Sequence, residues 1–332
     1  MSTLDLAVVG CTAQPLHAGH LAVIERARAA AAQVVVVLHG GDCARSLKTP
    51  WSEAERRAML REALGDDPAV VVVAVRDCPY DLPRWRGELA AAVAAAAPGV
   101  TRIGLACDAA LAGLWPSAWS RLLRDAGFAA TEAALRDELL WAPHPDWPRV
   151  AARLGATALA RLQAWRGSDA AACLLEEASF IRAFRNNWAA APYPPVFVTV
   201  DGIVTHGDHV LLIQRDRAPG RDLWALPGGF LDQHETLEAA VRREVREETG
   251  LELAPGSAVA NRVFDEPARS LRGRTITHAY HFVLDAAAAR PAVAGADDAR
   301  AAAWWALAEL EPALLFEDHY AILQVLPGLG RP

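Results

Sequence analysis

No helix can run through Pro192-Tyr193-Pro194-Pro195. Proline lacks the amide donor, clashes with the preceding turn and pushes the residue before it out of the helical region. The residue patterns on the two sides of this run differ, and 332 residues is long for a single core, so the chain reads as two folding units. On the N-terminal side, the short β-branched runs 6–9, 34–38, 69–75 and 102–106 alternate with the Ala-rich helical stretches 21–31, 52–62 and 85–97. Buried parallel strands joined by crossover helices have this rhythm, which makes the unit α/β and Rossmann-like. A helix over 169–188 follows. Beyond the prolines the pattern changes to strands (196–204, 209–214, 258–264, 277–284), one strong helix (236–248) and a helix near 318–325, an α+β arrangement. The expected domains are 1–167, a helical linker 168–195, and 196–332.

A formal charge of -7 and a pI near 5.8 argue against a nucleic-acid partner held by a broad basic face. The five cysteines are scattered within the first 173 residues, with no pair at metal-ligand spacing, as for free thiols in a reducing cytoplasm. The N-terminal apolar run has no basic lead and breaks at Gly10, so neither a signal peptide nor a membrane partner is expected and the localisation reads as cytoplasmic.

The helix over 236–248 carries the clearest chemistry. At about 100° per residue, Leu237, Val241 and Val245 share its inward face, and Glu244 and Glu248 lie within about 20° of Leu237. Glu247 lies about 80° away, while Glu238, Arg242 and Arg246 face outward. Clustered inward carboxylates repel one another and lose hydration, which is costly without a cation. Hard oxygen ligands suit Mg²⁺ or Mn²⁺. Gly228-Gly229 lets a turn approach a ligand closely, Glu235 stands at the helix start, and Gly250 can close its end in a left-handed cap.

Gly229, Glu235 and the run Arg243-Glu244-Val245-Arg246-Glu247-Glu248-Thr249-Gly250-Leu251 match the Nudix box at every fixed position, and the segment is identified as a member of the Nudix hydrolases. That resemblance implies divalent metal bound by Glu244, Glu247 and Glu248, with Gly228 beside them. It also implies that Glu235 and Arg243 hold the loop-helix-loop together. The implied reaction is attack of water on the pyrophosphate of a nucleoside diphosphate derivative, with a general base from these glutamates or a later loop.

Arg269, Arg272 and Arg274 crowd a polar stretch ahead of a strand, where guanidinium forks would suit a diphosphate; a surface loop or subunit contact is the alternative. With Pro192 to Pro195 and Leu315-Phe316-Glu317-Asp318-His319, this stretch resembles the ADP-ribose pyrophosphatase half of bifunctional NMN adenylyltransferase/Nudix proteins. The resemblance suggests base or metal assistance from Glu317, Asp318 or His319, although His319 pairing with a surface acid is the commoner outcome. Tyr193 is a candidate to stack on adenine or simply to pack. The family expectation is a homodimer acting on a small-molecule nucleotide.

The N-terminal half resembles the nucleotidyltransferase partner of such proteins. Gln14-Pro15-Leu16-His17-Ala18-Gly19-His20 opens into a helix after the first strand, as in the adenylyltransferase signature whose histidines bind ATP phosphates. Lys48 and Trp51 lie in a segment like the one after the family's second strand, with Trp51 a candidate to stack on nicotinamide, and Asp108 matches a further family position. Departures follow: Cys11-Thr12-Ala13 replaces a glycine, an arginine and an aromatic, and Cys107 stands for a lysine. The late motif reads Leu154-Gly155-Ala156-Thr157-Ala158-Leu159-Ala160, with Arg161 displaced by one residue. Several phosphate-binding cations are missing or displaced, so adenylyl transfer is expected to be weak or absent. Two alternatives stay open: a fully bifunctional enzyme, and an ADP-ribose sensor without turnover.

Overall fold

The computed structural model describes residues 4–65, 67–123, 125–154 and 156–325. The chain divides into two compact units, Met1–Ala178 and Ser179–Pro332.

In the first unit, strands β1 (Leu4–Cys11), β2 (Ala31–Leu38), β3 (Val70–Ala74), β4 (Ile103–Ala106) and β5 (Ser120–Arg121) form a parallel sheet in the order β3-β2-β1-β4-β5. Helices α1 (Ala18–Ala30), α2 (Glu53–Leu64) and α3 (Leu82–Ala96) are the crossovers, so the α/β reading of this half is correct. Leu6, Val8, Val35 and Val37 pack with Trp85, Leu89 and Val93 of α3, which explains why the strands read as unbroken apolar runs. After β5 come α4 (Phe128–Arg136), one π-helical turn (Asp137–Trp141), α5 (Trp147–Ala151), α6 (Ala156–Arg166) and α7 (Asp169–Asn186). The division between the units falls inside α7. Its last turns belong to the second unit, where Phe184 packs on Phe197 and Phe230.

The second unit has a mixed sheet of β6 (Val196–His206), β7 (His209–Arg215), β8 (Trp224–Ala225), β9 (Gly228–Phe230), β10 (Ala258–Phe264), β11 (Arg274–Leu284) and β12 (Ala299–Ala306). Its path is β10-β11-β6-β7-β12, with β8 on β7 and β9 on β6. The pairing of β11 with β6 is parallel. Helix α8 (Leu237–Thr249) packs Ala240, Val241 and Val245 against Val200, Val204, Leu211 and Phe282, and α9 (His319–Val325) ends the described chain.

Several elements have no counterpart in the sequence pattern, β12 and α4 among them. Strand β12 is alanine-rich and alanine favours helix, but its pairing to β7, with Trp304 opposite Leu211, overrides that preference. Helix α4 lacks a hydroxyl or amide cap of its own: it starts at Gly127, and its first amides donate to Asp108, twenty residues upstream. The five cysteines are free, as expected. Among the described residues no helix is long and apolar enough to cross a membrane.

Candidate active site

Helix α8 begins at Thr236, whose hydroxyl accepts from the Ala239 amide, and closes at Gly250 in the left-handed region (φ 74°), where the Gly250 amide donates to Arg246. The helical phase worked out from sequence is the one that forms. Val241 and Val245 are fully buried, Glu248 is 3% exposed, and Arg246 is open to solvent. Burying Glu248 brings its Oε2 to the Gly228 amide, which donates at 2.8 Å. A side chain at Gly229 would displace the Glu244 carboxylate, so glycine lets the β9 backbone lie close to the helix with that carboxylate in place.

Arg243 organises the acidic face. Its Nε and Nη2 donate to the two Glu235 oxygens at 3.1 and 2.7 Å, its Nη1 to Glu244 at 2.9 Å and Glu247 at 3.0 Å, and its Nη2 also to the Phe230 carbonyl at 3.3 Å. Glu235 in turn accepts from the Asp232 amide at 3.0 Å. The arginine thus ties the loop before α8 to the middle of the helix, and the shared carboxylates raise its own pKa. Burial pushes the Glu244 carboxyl up despite Arg243. Burial, reinforced by the Asp298 carboxylate, pushes Glu248 well above the usual range.

A divalent cation fits this donor set. The buried oxygens are hard ligands whose charged form burial disfavours, and a cation reverses that preference. Among the described residues no three His, Cys, Asp or Glu groups stand together as a metal cluster, and Arg243 donates to both Glu244 and Glu247.

The residues read as substrate contacts separate. Arg269 and Asp318 bind each other in a buried two-pronged pair at 2.9 and 2.8 Å, so Arg269 is committed within the protein rather than presented to a ligand. Arg272 stacks over Phe230, 5.2 Å from the ring centre, beside the box glycines. Arg274 donates to the Asp265 carbonyl at 2.6 Å. Tyr193 is 81% exposed. Glu317, with positive φ, lends its negative charge to Arg215, Arg269 and His319. His319 is not a surface residue: it is buried, its Nδ1 accepts from the Leu226 amide at 2.8 Å, and burial lowers its pKa.

Three residues here escaped sequence reading. Arg215, at the end of β7, rests on Phe316 (4.2 Å) and donates to the Pro219 carbonyl at 2.8 Å. Burial lowers its pKa, as does the charge of Arg272, while Glu317, Asp298 and Glu248 oppose them, so a cation stands among the site's carboxylates. Asp298 adds negative charge at Glu248, and Asp201 lies buried beneath Gly228. Asp201 is a lone charge within an apolar strand, while Arg215 and Asp298 each stand in a short charged run at a strand end.

In the first unit, His17 caps α1. Its Nδ1 accepts from the Gly19 amide at 3.0 Å and its own amide donates to His20 Nδ1 at 3.2 Å. Burial, then His20, takes the His17 pKa down to about 4. Phe128 of α4 stacks on His20 at 4.3 Å, and Glu132 of α4 is buried against the same group. Glu132 accepts from the Gln14 amide at 2.9 Å and the Thr12 hydroxyl at 2.5 Å, and His20 Nε2 lies 3.2 Å away. Burial works against its ionisation, but the contacts from His20, Thr12 and Gln14 hold its pKa low.

The Gln14 side chain clamps both backbone groups of Trp51, whose ring is 1% exposed and packs on Trp165 at 4.6 Å, so it offers no open face for stacking. Lys48 sits in a turn, its amide donating to Ser46 Oγ at 3.2 Å. Asp108 caps α4 through the Phe128 and Ala129 amides rather than facing the histidines. Gly155 lies outside the described residues, and Arg161 is turned onto Glu62.

Residues 195–326 match the NUDIX domain family model and residues 8–131 the Cytidylyltransferase-like model. An ADP-ribose pyrophosphatase of Methanocaldococcus jannaschii is 39% identical over 127 residues, 38% of this chain and 70% of that protein. The ADPR responsive transcriptional repressor NtrR of Acinetobacter baylyi is 30% identical over 149 residues, 43% of this chain and 58% of that protein. The crystal structure of a bifunctional NMN adenylyltransferase/ADP ribose pyrophosphatase from Francisella tularensis, complexed with AMP and Mn ion, superposes with a TM-score of 0.89. Its identity is 28%, over 98% of each chain.

Proposed function

Because the chain belongs to the Nudix hydrolase family, with a cytidylyltransferase-like domain ahead of the Nudix domain, we propose that it hydrolyses ADP-ribose, or a close nucleoside diphosphate derivative, to AMP and a sugar phosphate. The observation that carries this reading is the intact box on α8, with Glu244 and Glu248 on its core side and Arg243 tying it to Glu235. Glu244, Glu247 and Glu248 would hold Mg²⁺ or Mn²⁺, which supplies charge neutralisation at the diphosphate and a more acidic attacking water. The Gly228 amide orients Glu248, and Arg215 and Arg272 supply positive charge for phosphate oxygens at the same end of the site. Purified protein with Mg²⁺ or Mn²⁺ is offered ADP-ribose, NADH, NAD, FAD and diadenosine polyphosphates. AMP release is expected to be fastest from ADP-ribose; faster turnover of another compound would replace the substrate, and tight ADP-ribose binding without AMP release would make the protein a sensor.

The same reading holds that the N-terminal unit transfers adenylyl groups weakly or not at all. It is supported by Glu132, whose carboxylate takes up the Gln14 amide, the Thr12 hydroxyl and the side of His20, the donors a phosphate would need. Charge-assisted phosphate contacts contribute roughly 1.5 to 3 kcal/mol each, and Arg161 and Cys107 do not replace those missing. With NMN, ATP and Mg²⁺, no appreciable NAD is expected from the native protein. Glu132→Ala, which frees the donors, is expected to tighten ATP binding by about 10-fold or more in calorimetry. Clear NAD formation that disappears in His17→Ala would overturn this half of the reading.

A further inference from the structure

The backbone turn Leu226-Pro227-Gly228-Gly229 delivers the amide that holds Glu248 and the glycine that lies against Glu244. What holds the turn is thus a question about the reaction. Part of the answer is the sheet: the Gly202 amide donates to the Pro227 carbonyl at 2.7 Å, and Gly228 is the register partner of Asp201. The buried Leu226 amide, just ahead of the proline, takes a different partner. It donates at 2.8 Å to His319 Nδ1, 93 residues along the chain. An imidazole that accepts at Nδ1 carries its proton on Nε2, and His319 Nε2 faces Asp201 Oδ1 at 3.8 Å. The other Asp201 oxygen accepts from the Thr277 hydroxyl at 2.5 Å. Asp201, His319 and Thr277 are all buried. The start of α9 is itself fastened, since Asp318 is held by Arg269.

The geometry points to Asp201 and His319 as positioning residues for the Nudix reaction. They form a buried strut in which Asp201 of β6 acts on the α9 imidazole by charge rather than by a hydrogen bond and the imidazole holds the Leu226 amide, and that strut sets where Gly228 presents its N–H to Glu248. Neither residue touches the reacting atoms in this role. The inference rests on the hydrolase reading for its kinetic consequence, but its structural content, that the imidazole acceptor fixes the turn, stands apart from the substrate.

The strut acts through one hydrogen-bond acceptor, so two replacements of His319 separate positioning from bulk packing. His319→Leu fills most of the space without an acceptor, whereas His319→Asn keeps an oxygen near the place of Nδ1. In the full chain with Mn²⁺ and ADP-ribose, His319→Leu is expected to lower kcat by about 10- to 100-fold, the usual effect of removing a group that orients a metal ligand, with KM changed less than about 3-fold. His319→Asn is expected to recover most of kcat. Hydrogen–deuterium exchange of the peptide spanning residues 226–230, read without substrate, is expected to speed up in the leucine variant and to stay near native in the asparagine variant. If the two variants exchange alike in that peptide, the strut is refuted whether or not the protein turns ADP-ribose over. If exchange separates them but ADP-ribose is not a substrate of the native protein, the substrate assignment fails and the strut stands. Equal kcat values for the two variants of an active protein would overturn the positioning role.

Discussion

Glu248→Gln is expected to reduce turnover by at least about 10²-fold, the rate equivalent of roughly 3 kcal/mol, while making the metal-free protein more stable at alkaline pH. Both effects follow from one fact. Burial, followed by the Asp298 carboxylate, raises the pKa of Glu248 well above that of a free glutamate, so without a cation the folded protein prefers it protonated. For a carboxyl whose folded pKa is raised, this preference supports the fold fully below the unfolded pKa and is lost as pH rises through the folded value. At an alkaline pH the metal-free native protein therefore carries a buried charge that glutamine lacks, and at an acidic pH it does not. Melting curves in a chelator at those two pH values should show the variant above the native protein at the higher one, with the gap closing at the lower. Added Mn²⁺ should reverse the order at the higher pH, because only the native carboxylate gains from the cation. Unchanged turnover would remove Glu248 from the metal site.

What could be read from sequence was what is periodic or local. The parallel strands announced themselves as β-branched runs, and the phase of α8 followed from three apolar residues, which also placed Glu248 in the core. What escaped depends on contacts distant along the chain. The alanine-rich β12 is a strand because β7 lies beside it. Arg269 reads as a phosphate ligand until Asp318, 49 residues on, closes over it, and His319 reads as a surface histidine until the Leu226 amide meets it. Glu132 is the sharpest case. A glutamate in an undistinguished Ala-rich segment gains its meaning only when α4 folds over the histidines and brings it to the Gln14 amide, 118 residues away.

Arg243→Lys is expected to behave as a severe change despite keeping the charge. The guanidinium reaches Glu235 by two donors, Glu244 and Glu247 by a third, and the Phe230 carbonyl besides, which a single ammonium on a flexible stem cannot reproduce. These groups are partly exposed, so solvent screening reduces the loss below that of a fully buried network. A destabilisation of roughly 3 kcal/mol is expected, or about 5 to 10 °C in melting temperature for a unit of this size. Activity should fall further than stability, because Glu235 no longer ties the glycine loop to α8 and Glu244 and Glu247 lose the anchor that preorganises them for metal. Arg246→Lys is the matched control: its guanidinium is half exposed and, among the described residues, pairs with Glu247 alone at 3.5 Å, so melting temperature and kcat should stay near native. If the two lysine variants melted and turned over alike, the arginine clasp would be one more surface ion pair, and the order of the box would have to come from the packing of Val241 and Val245 instead.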